Sequence, residues 1–565
     1  MKSNNYLLNK FFKMYIPVCI VCVAAYSINQ VVDSFVASNV IGSTALAAMG
    51  IASPISAVVA VFSGILGGGG LLLCTKYIGE GQKEKVNALF TYIVITGLVL
   101  AQILTLICGL MPETVASLLG ANAELVHEAG IYIQSYSYGV IATFMNFMLM
   151  NFVRLDGADS LPLVATLLGT VGNIIMDIVF CKYFQWGVFG LALATSLTGF
   201  ISFAVVMTYF LKKDRMLHLS KMYDVINIKD VADVLKLGSP EALNTFCQVA
   251  RAIMLNYVLV GIGSTMAMNS YAIQDTVNSI VCAVPVGIAA ALNFNVGLYY
   301  GEKDGNAVKK TLKAAIKIAV ACSVVLLVLI VILSQTIVNL FGTGTEEAVT
   351  AVRFLGIVLL FRSLSEVFVK YFQSVHKVGM SLYIGFAHHV LFMFISLRIF
   401  PPLFGLKGVW IAMIFAEALA VISVIIISLI KSKGDFSESK LFMIPKEIDY
   451  LPLVDISVEN DDEMFDKAYE IVKANAGKRE LECFSRIAGY LLSNGYKGGK
   501  HFFDVSITKI DEGMILRIRD DAEKYNPKEV IMNGNAEDDF NICDDCIDYH
   551  YTMRINTTSI NYDPI

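Results

Sequence analysis

Two short steps in the chain could do chemistry: Asn29 to Asp33 in "NQVVD" and Asn173 to Asp177 in "NIIMD". On a helix, residues four apart share one face. Each pair therefore offers a carboxylate beside an amide oxygen. Those are hard ligands for a small cation, and the carboxylate alone can hold a proton. Both pairs sit in apolar stretches, where an ionisable side chain costs about 2.5–3.5 kcal/mol and usually faces a cavity in which it works. A purely structural alternative also fits: the aspartates hydrogen-bond to backbone or to each other.

Other titratable groups lie in similar surroundings: Arg251, Asp275, Arg362, Glu366 and Glu417. Arg251 with Asp275 or Glu366 reads as a buried structural pair or as a pair lining a substrate cavity. His388 and His389 fall mid-segment, as packing residues or as a proton relay. No G-x-x-x-x-G-K-[ST] phosphate loop occurs, so direct ATP drive has no support. "GGGG" at 67–70 reads as close helix packing or a local break. Eleven cysteines follow no regular framework and read as buried small hydrophobes. Cys543 and Cys546 make one C-x-x-C, which is half a zinc site. No metal or organic cofactor is expected beyond a coupling ion.

The elements that carry these residues follow from composition. Of 565 residues 56% are apolar and 16% charged, against roughly 25% charged in soluble proteins. Residues 1–434 hold 28 Lys+Arg and 21 Asp+Glu, whereas residues 435–565 hold 15 and 27. A long apolar part with a basic excess thus precedes an acidic, water-compatible tail. Segments able to span a bilayer of roughly 20 residues fall at 14–37, 45–75, 88–111, 128–152, 161–183, 187–211, 235–260, 267–299, 311–341, 348–372, 380–400 and 405–430. The first is long enough to be a span, and nothing there resembles a cleaved leader. Helices are expected, because lipid offers the backbone no hydrogen-bond partner.

Lysines and arginines cluster in alternate loops: Lys76, Lys83 and Lys85; Arg154; Lys212, Lys213, Arg215, Lys221 and Lys229; Lys303, Lys309 and Lys310; Lys377; Lys431 and Lys433. The loops between, such as 112–124 and 342–347, hold none. The positive-inside bias predicts that both termini, and the tail, are cytosolic.

The first half returns in the second. Pro17 and Pro240 differ by 223 residues, "IGST" recurs at 41 and 262, and "GEGQ" at 79 matches "GEKDG" at 301. Ser160 and Ser381, and the "WGVFG" and "FGLKG" segments at 186 and 404, keep nearly the same offset. The expected architecture is an all-α polytopic membrane protein of twelve transmembrane helices in two six-helix parallel repeats, 1–222 and 223–434. A C-terminal α+β cytosolic domain follows at 435–565. Parallel repeats with substrate held between them are a transporter pattern. At the repeat offset, Asp33 falls on 254–256 and Asp177 on 395–398, and neither window holds a carboxylate. One half alone carries the acidic pair.

Pro17, Asp33, "IGSTALAAMGIASPI", "YIGEGQ", "NFVRLDG" and "GNIIMDIVF", in this order, resemble the multidrug and toxic compound extrusion (MATE) transporters over about 10–430. Within that family the DinF-like branch, with its acidic residue in the first span, is the nearest match. The resemblance implies a two-lobed bundle that exports organic compounds against re-entry of Na⁺ or H⁺. It also implies a coupling site at Asp33, Asn173 and Asp177, with Asn29 and Thr195 in support.

In the tail, "HFFDVSITKI" and "MILRIRD" alternate as adjacent strands around the turn "DEG", and "KRELECFSRIAGYLLSNGYKGG" reads as a helix. The order resembles the histidine-kinase-like ATP-binding fold of anti-sigma-factor regulators, over 450–562. Aligned on that fold, the helix acids fall on Ser485 and Arg486, and the metal-binding Asn on Tyr490. Ala522 replaces the glycine of Asp-x-Gly after Asp520. An inactive regulatory or docking domain follows from that erosion, with a cytosolic regulatory protein as its possible partner.

The function expected is cation-coupled export of organic cations or amphipathic molecules across the cytoplasmic membrane, in contact with lipid and without nucleic acid. The alternatives are a flippase of lipid-linked intermediates and a membrane sensor with a kinase-like output.

Overall fold

The computed structural model describes residues 6–562 except 122, 159, 214, 222–224, 263–264, 341–344, 460, 496–500, 512, 533–545 and 553–554. Cys543 and parts of the 342–347 loop and the second "IGST" therefore lie outside the described residues.

Among the described residues nine helical stretches are long and apolar enough to cross a membrane: Phe12–Ile41, Thr44–Gly79, Lys83–Leu110, Ser160–Tyr183, Gly187–Leu211, Ile228–Ile262, Ala267–Gly301, Gly305–Leu340 and Val378–Ser432. A tenth is the pair Val126–Ser137 and Val140–Leu155, bent by 53°. The count of twelve is thus not reached by length and apolarity, for two reasons. Glu346–Ser374 covers the expected tenth span, but Arg353, Arg362, Glu366 and Lys370 lie within it. Val378–Ser432 covers the expected eleventh and twelfth as one stretch of 55 residues. It is interrupted at Gly405, whose φ of 58° a residue with a Cβ rarely adopts.

The two halves meet at one end and part at the other. One buried apolar core runs through both, from Phe12, Leu72 and Phe152 to Leu292, Val308 and Tyr371. Helix backbones touch along this seam. A Cβ on Gly79 would overlap the backbone of its repeat-mate Gly301, and one on Gly69, within "GGGG", would overlap Val234 and Gly238. The close-packing expectation for that run is met, and a π-helical turn at Ile65–Gly69 supplies the local break as well. At the far end the cores are separate. Val36, Ala48, Cys108 and Leu191 pack within the first half, and Leu255, Val358, Trp410 and Ala416 within the second. The cleft between halves therefore opens away from the "GEGQ" and "GEKDG" loops.

The tail caps the joined end. Strands β1 (Pro452–Glu459), β2 (Phe502–Ile510), β3 (Gly513–Asp520), β4 (Ile547–Thr552) and β5 (Ile555–Tyr562) form an antiparallel sheet in the order β1-β2-β3-β5-β4. β2 and β3 are the expected hairpin, with Ile510 opposite Gly513. Alternation sends Leu516 and Ile518 to a core with Phe484 and Ile487 of the helix Lys478–Tyr490. It sends Arg517 and Arg519 to the other face, yet every residue of β3 is buried. What covers the second face is the membrane domain.

Arg519 pairs with Glu302 and stands 2.9 Å from Asp304, and Arg517 lies 3.4 Å from Asp304. His550 Nε2 is 2.9 Å from Glu302. Burial alone would raise the Glu302 carboxyl, but Arg519, His550 and Arg517 outweigh it and hold it well below the ordinary range. Lys309 meets Asp449 at 2.9 Å and Lys310 meets Asp455 at 2.5 Å. The first half is touched too. Asp548 fills the space where a Cβ on Gly81 would sit, and Lys83 lies 5.8 Å from the ring centre of Tyr549. The acidic tail is thus seated on basic loops of both halves.

Candidate cation site

The helix Tyr6–Val36 carries Asn29 and Asp33 one turn apart, and Ser160–Asp177 carries Asn173 and Asp177 likewise. These two helices pack against each other. Asp177 is the last α-helical residue before a π-helical turn at Ile178–Tyr183, a device that commonly marks functional sites. Asn173 and Asp177 are fully buried, and Asp33 and Asn29 half-buried. The inward amide atom of Asn173 is 2.8 Å from Asn29 Oδ1, 2.7 Å from Asp33 Oδ1 and 3.3 Å from Asp177 Oδ2. The four residues singled out by spacing therefore meet at one point.

That point can be satisfied in two ways. With its NH₂ turned inward, Asn173 donates to the surrounding oxygens. With its oxygen inward, Asn29 Nδ2 at 3.2 Å can donate to it, but the Asp33 and Asp177 oxygens still crowd it, and a bound cation or proton must separate them. Asp177 Oδ1 has no hydrogen-bond partner among the described residues. Nor does any described lysine or arginine pair with either aspartate. Two carboxylates without a basic partner at apolar depth are costly unless a positive charge joins them.

Thr195 is not part of this contact. Its hydroxyl donates to Leu191 O at 3.4 Å. It lines, with Asn29, Tyr26, Phe147 and Arg154, a cavity of about 350 Å³ inside the first half. Asn29 is the residue shared by cavity and carboxylate cluster.

The second half holds a different arrangement. Arg251 pairs with Glu417 at 3.1 Å, not with Asp275 or Glu366. Glu417 also meets His388 Nδ1 at 3.1 Å. Glu366 lies 4.0 Å from Arg362 on its own helix. Arg251 and Asp275 line a cavity of about 290 Å³ with Tyr271, Arg362 and His389; Glu366 lies outside that lining. Sequence spacing missed Glu417 as the partner of Arg251 because 166 residues separate them. The available signal was that a carboxylate in an apolar span needs a cation.

In the tail, Arg486 bonds Glu482 at 2.9 Å and the carbonyl of Ile531 at 2.5 Å. Tyr490 packs on Tyr525 with ring centres 5.0 Å apart. Asp520 accepts from Ala522 N at 3.0 Å, Tyr525 at 2.9 Å and Asn556 at 2.8 Å.

Comparison with known proteins agrees with this architecture. The family model described as MatE matches residues 17–179 and 240–397, two segments that begin at Pro17 and Pro240. The multidrug export protein MepA of Staphylococcus saprophyticus is 22% identical over 404 residues, covering 70% of this chain and 88% of its own. The probable multidrug resistance protein YoeA of Bacillus subtilis is 24% identical over 340 residues, covering 59% and 73%. Among solved structures, a MATE crystallised in complex with MaD3S superposes with a TM-score of 0.70 at 22% identity, over 74% of this chain and 94% of that one. An outward-facing MATE family transporter of the MOP superfamily gives 0.69 at 21%, with the same coverage.

Proposed function

We propose that this chain, which belongs to the MATE family, is a multidrug exporter driven by Na⁺ or H⁺ entering through Asp33 and Asp177. It is a secondary transporter and not an enzyme. The convergence of Asn29, Asp33, Asn173 and Asp177 on one point carries the reading. A cation binding there changes the charge of a site within the first half. That charge can shift the balance between the two access states, and substrate release follows the same balance.

We read the membrane part as twelve spans in two lobes, 1–222 and 223–434, in the cytoplasmic membrane with both termini cytosolic. The acidic residue of the first span favours the DinF-like branch. Substrates are organic cations or amphipathic molecules, held in the cleft between lobes. With the tail on the cytosolic side, the cleft of this structure opens outward.

Residues 435–565 serve as a regulatory or docking domain of degenerate histidine-kinase-like fold. Asp520 spends its carboxylate on three internal donors, and Arg486 and Tyr490 occupy positions the nucleotide chemistry needs. Both facts favour a domain that does not hydrolyse ATP.

Efflux from proteoliposomes under an imposed Na⁺ or proton gradient, with a panel of cationic dyes, tests the proposal. Export that follows neither gradient would overturn it.

A further inference from the structure

His388 and His389 lie on a π-helical turn, Ala387–Leu391, and both are fully buried. Their ring centres lie 3.7 Å apart with the planes tilted by 36°. Each ring is anchored through one nitrogen. His388 Nδ1 faces Glu417 Oε2 at 3.1 Å, and His389 Nε2 faces Asn244 Oδ1 at 3.0 Å. Both partners are acceptors, so in the neutral rings these nitrogens carry the protons. The other two nitrogens, His388 Nε2 and His389 Nδ1, are then bare lone pairs. Neither has a hydrogen-bond partner among the described residues.

A carboxylate completes the set. Glu366, 4% exposed on the facing helix Glu346–Ser374, brings an oxygen that lies within 4.8 Å of a ring nitrogen of each histidine. Its cationic neighbour, Arg362 Nε, stands 4.0 Å away, beyond hydrogen-bond reach. Acceptors from three side chains thus converge in a buried space, with the Arg362 guanidinium at its edge. From this geometry we infer that His388, His389 and Glu366 bind a transition-metal dication of the Zn²⁺ class, tying the helix Glu346–Ser374 to the π-helical turn.

The chemistry fits on two counts. Two imidazoles and one carboxylate are a common zinc donor set that leaves a fourth position open. Metal-bound histidines usually donate their second N–H to a carboxylate or carbonyl-type oxygen, as both do here with Glu417 and Asn244. The surrounding charges also permit a cation. Arg251 and Arg362 are offset by Glu366, Glu417 and Asp275, a net of one negative charge before any metal arrives.

The site is separate from the Asp33 cluster, and it is tested separately on the purified full-length protein. Elemental analysis after dialysis against Zn²⁺, with Co²⁺ substitution read by its d–d absorption, gives the metal count and its ligand type. Expected are close to one equivalent and a tetrahedral nitrogen–oxygen spectrum. Both should be lost in His389→Ala and Glu366→Gln, and kept in Asp33→Asn and Cys546→Ser. Less than a tenth of an equivalent in wild type would overturn the inference whatever the variants do. So would a Co²⁺ spectrum with thiolate charge-transfer bands, or metal retained in a His388→Ala, His389→Ala double variant that elutes as a single species.

Discussion

Arg519, on the central part of the tail sheet, is ion-paired with Glu302, the residue that ends the Ala267–Gly301 helix, and both are buried. The pair joins positions 217 residues apart. Glu302 belongs to "GEKDG", whose repeat-mate "GEGQ", with Lys83 directly after it, lies against Asp548 and Tyr549 of the same sheet. One rigid sheet thus bears on equivalent loops of both halves, at the end where the halves are closed on each other. Any state that separates those loops must break part of this contact.

Removing one partner of a buried ion pair leaves the other unpaired, at a cost of about 3–5 kcal/mol. Arg519→Ala should therefore loosen the tail from the membrane domain without unfolding the spans. Hydrogen exchange in the full-length protein should rise in β2, β3 and the 301–310 loop, and stay unchanged in Lys83–Leu110. Uniform protection across the tail would show that the pair contributes little to docking.

The seam between Gly79 and Gly301 leaves no space for a methyl group. Gly79→Ala should force the loop ends apart and disfavour the closed arrangement. Cross-linking between cysteines placed at Lys76 and Lys303 should fall several-fold, the scale of a coupling term of about 1–3 kcal/mol. Undiminished cross-linking would mean the seam can slide to accept the methyl.

Asp520 gives the tail a pH dependence of defined sign. Burial raises its carboxyl to about 7, against the opposing hydrogen bonds from Asn556, Tyr525 and Ala522 N. The folded tail therefore keeps a proton that the unfolded chain has lost once the pH passes about 4. Stability contributed by this proton is complete below the unfolded value and is lost as pH rises towards 7. The loss is on the order of 4 kcal/mol, at about 1.4 kcal/mol per pKa unit. Thermal unfolding of the tail should occur at higher temperature at pH 5 than at pH 8, and Asp520→Asn should flatten the difference. An equal or opposite pH response in wild type would contradict the burial argument.

Sidedness can be read by cysteine labelling in intact cells. A cysteine at Leu118, 81% exposed, should react with an impermeant maleimide, and one at the exposed Lys212 should not. The 303–310 loop is a poor reporter despite its lysines. Gly305 packs against Ile448, and Lys309 is buried against Asp449, so silence there would report burial. Labelling at Lys212 with Leu118 silent would reverse the orientation.

Much of this was legible because helices and strands write their faces into local spacing. Asn29 with Asp33 and Asn173 with Asp177 share faces by periodicity, and the β2–β3 hairpin shows its alternation. The repeat offset located the glycines of the seam. Partners distant in sequence were not legible. Nothing near Arg251 points to Glu417, and nothing in "GEKDG" points to Arg517 and Arg519. In the sequence Lys309 and Lys310 carry only the charge bias of their loop, yet each is also the ion-pair partner of a tail aspartate. The number of spans stayed short of twelve because charges that pair inside the bundle make Glu346–Ser374 look polar, and because Val378–Ser432 runs on past Gly405 as one helical stretch. Thr195 marked the cavity wall and not the carboxylate contact, since a hydroxyl four residues from a carbonyl bonds to its own helix first.

The proposed coupling site makes the sharpest test. Asp33 and Asp177 meet around Asn173 with no described basic partner, so a proton or Na⁺ must supply the missing charge whenever the site is closed to water. Losing one carboxylate removes the need for that cation, and with it the link between cation entry and access state. Asp33→Asn and Asp177→Asn should each lower gradient-driven dye efflux by at least about tenfold, within the usual range of a coupling term, while expression and dye binding persist. Asn29→Ala should weaken coupling less, because an amide oxygen carries no net charge. Glu417 is unsuitable as the neutral control, being tied to Arg251 and His388; the exposed Glu346 serves instead, and Glu346→Gln should export at the wild-type rate. If both aspartate variants keep that rate, the pair is held together by Asn173 for structural reasons. The cation must then cross at another site.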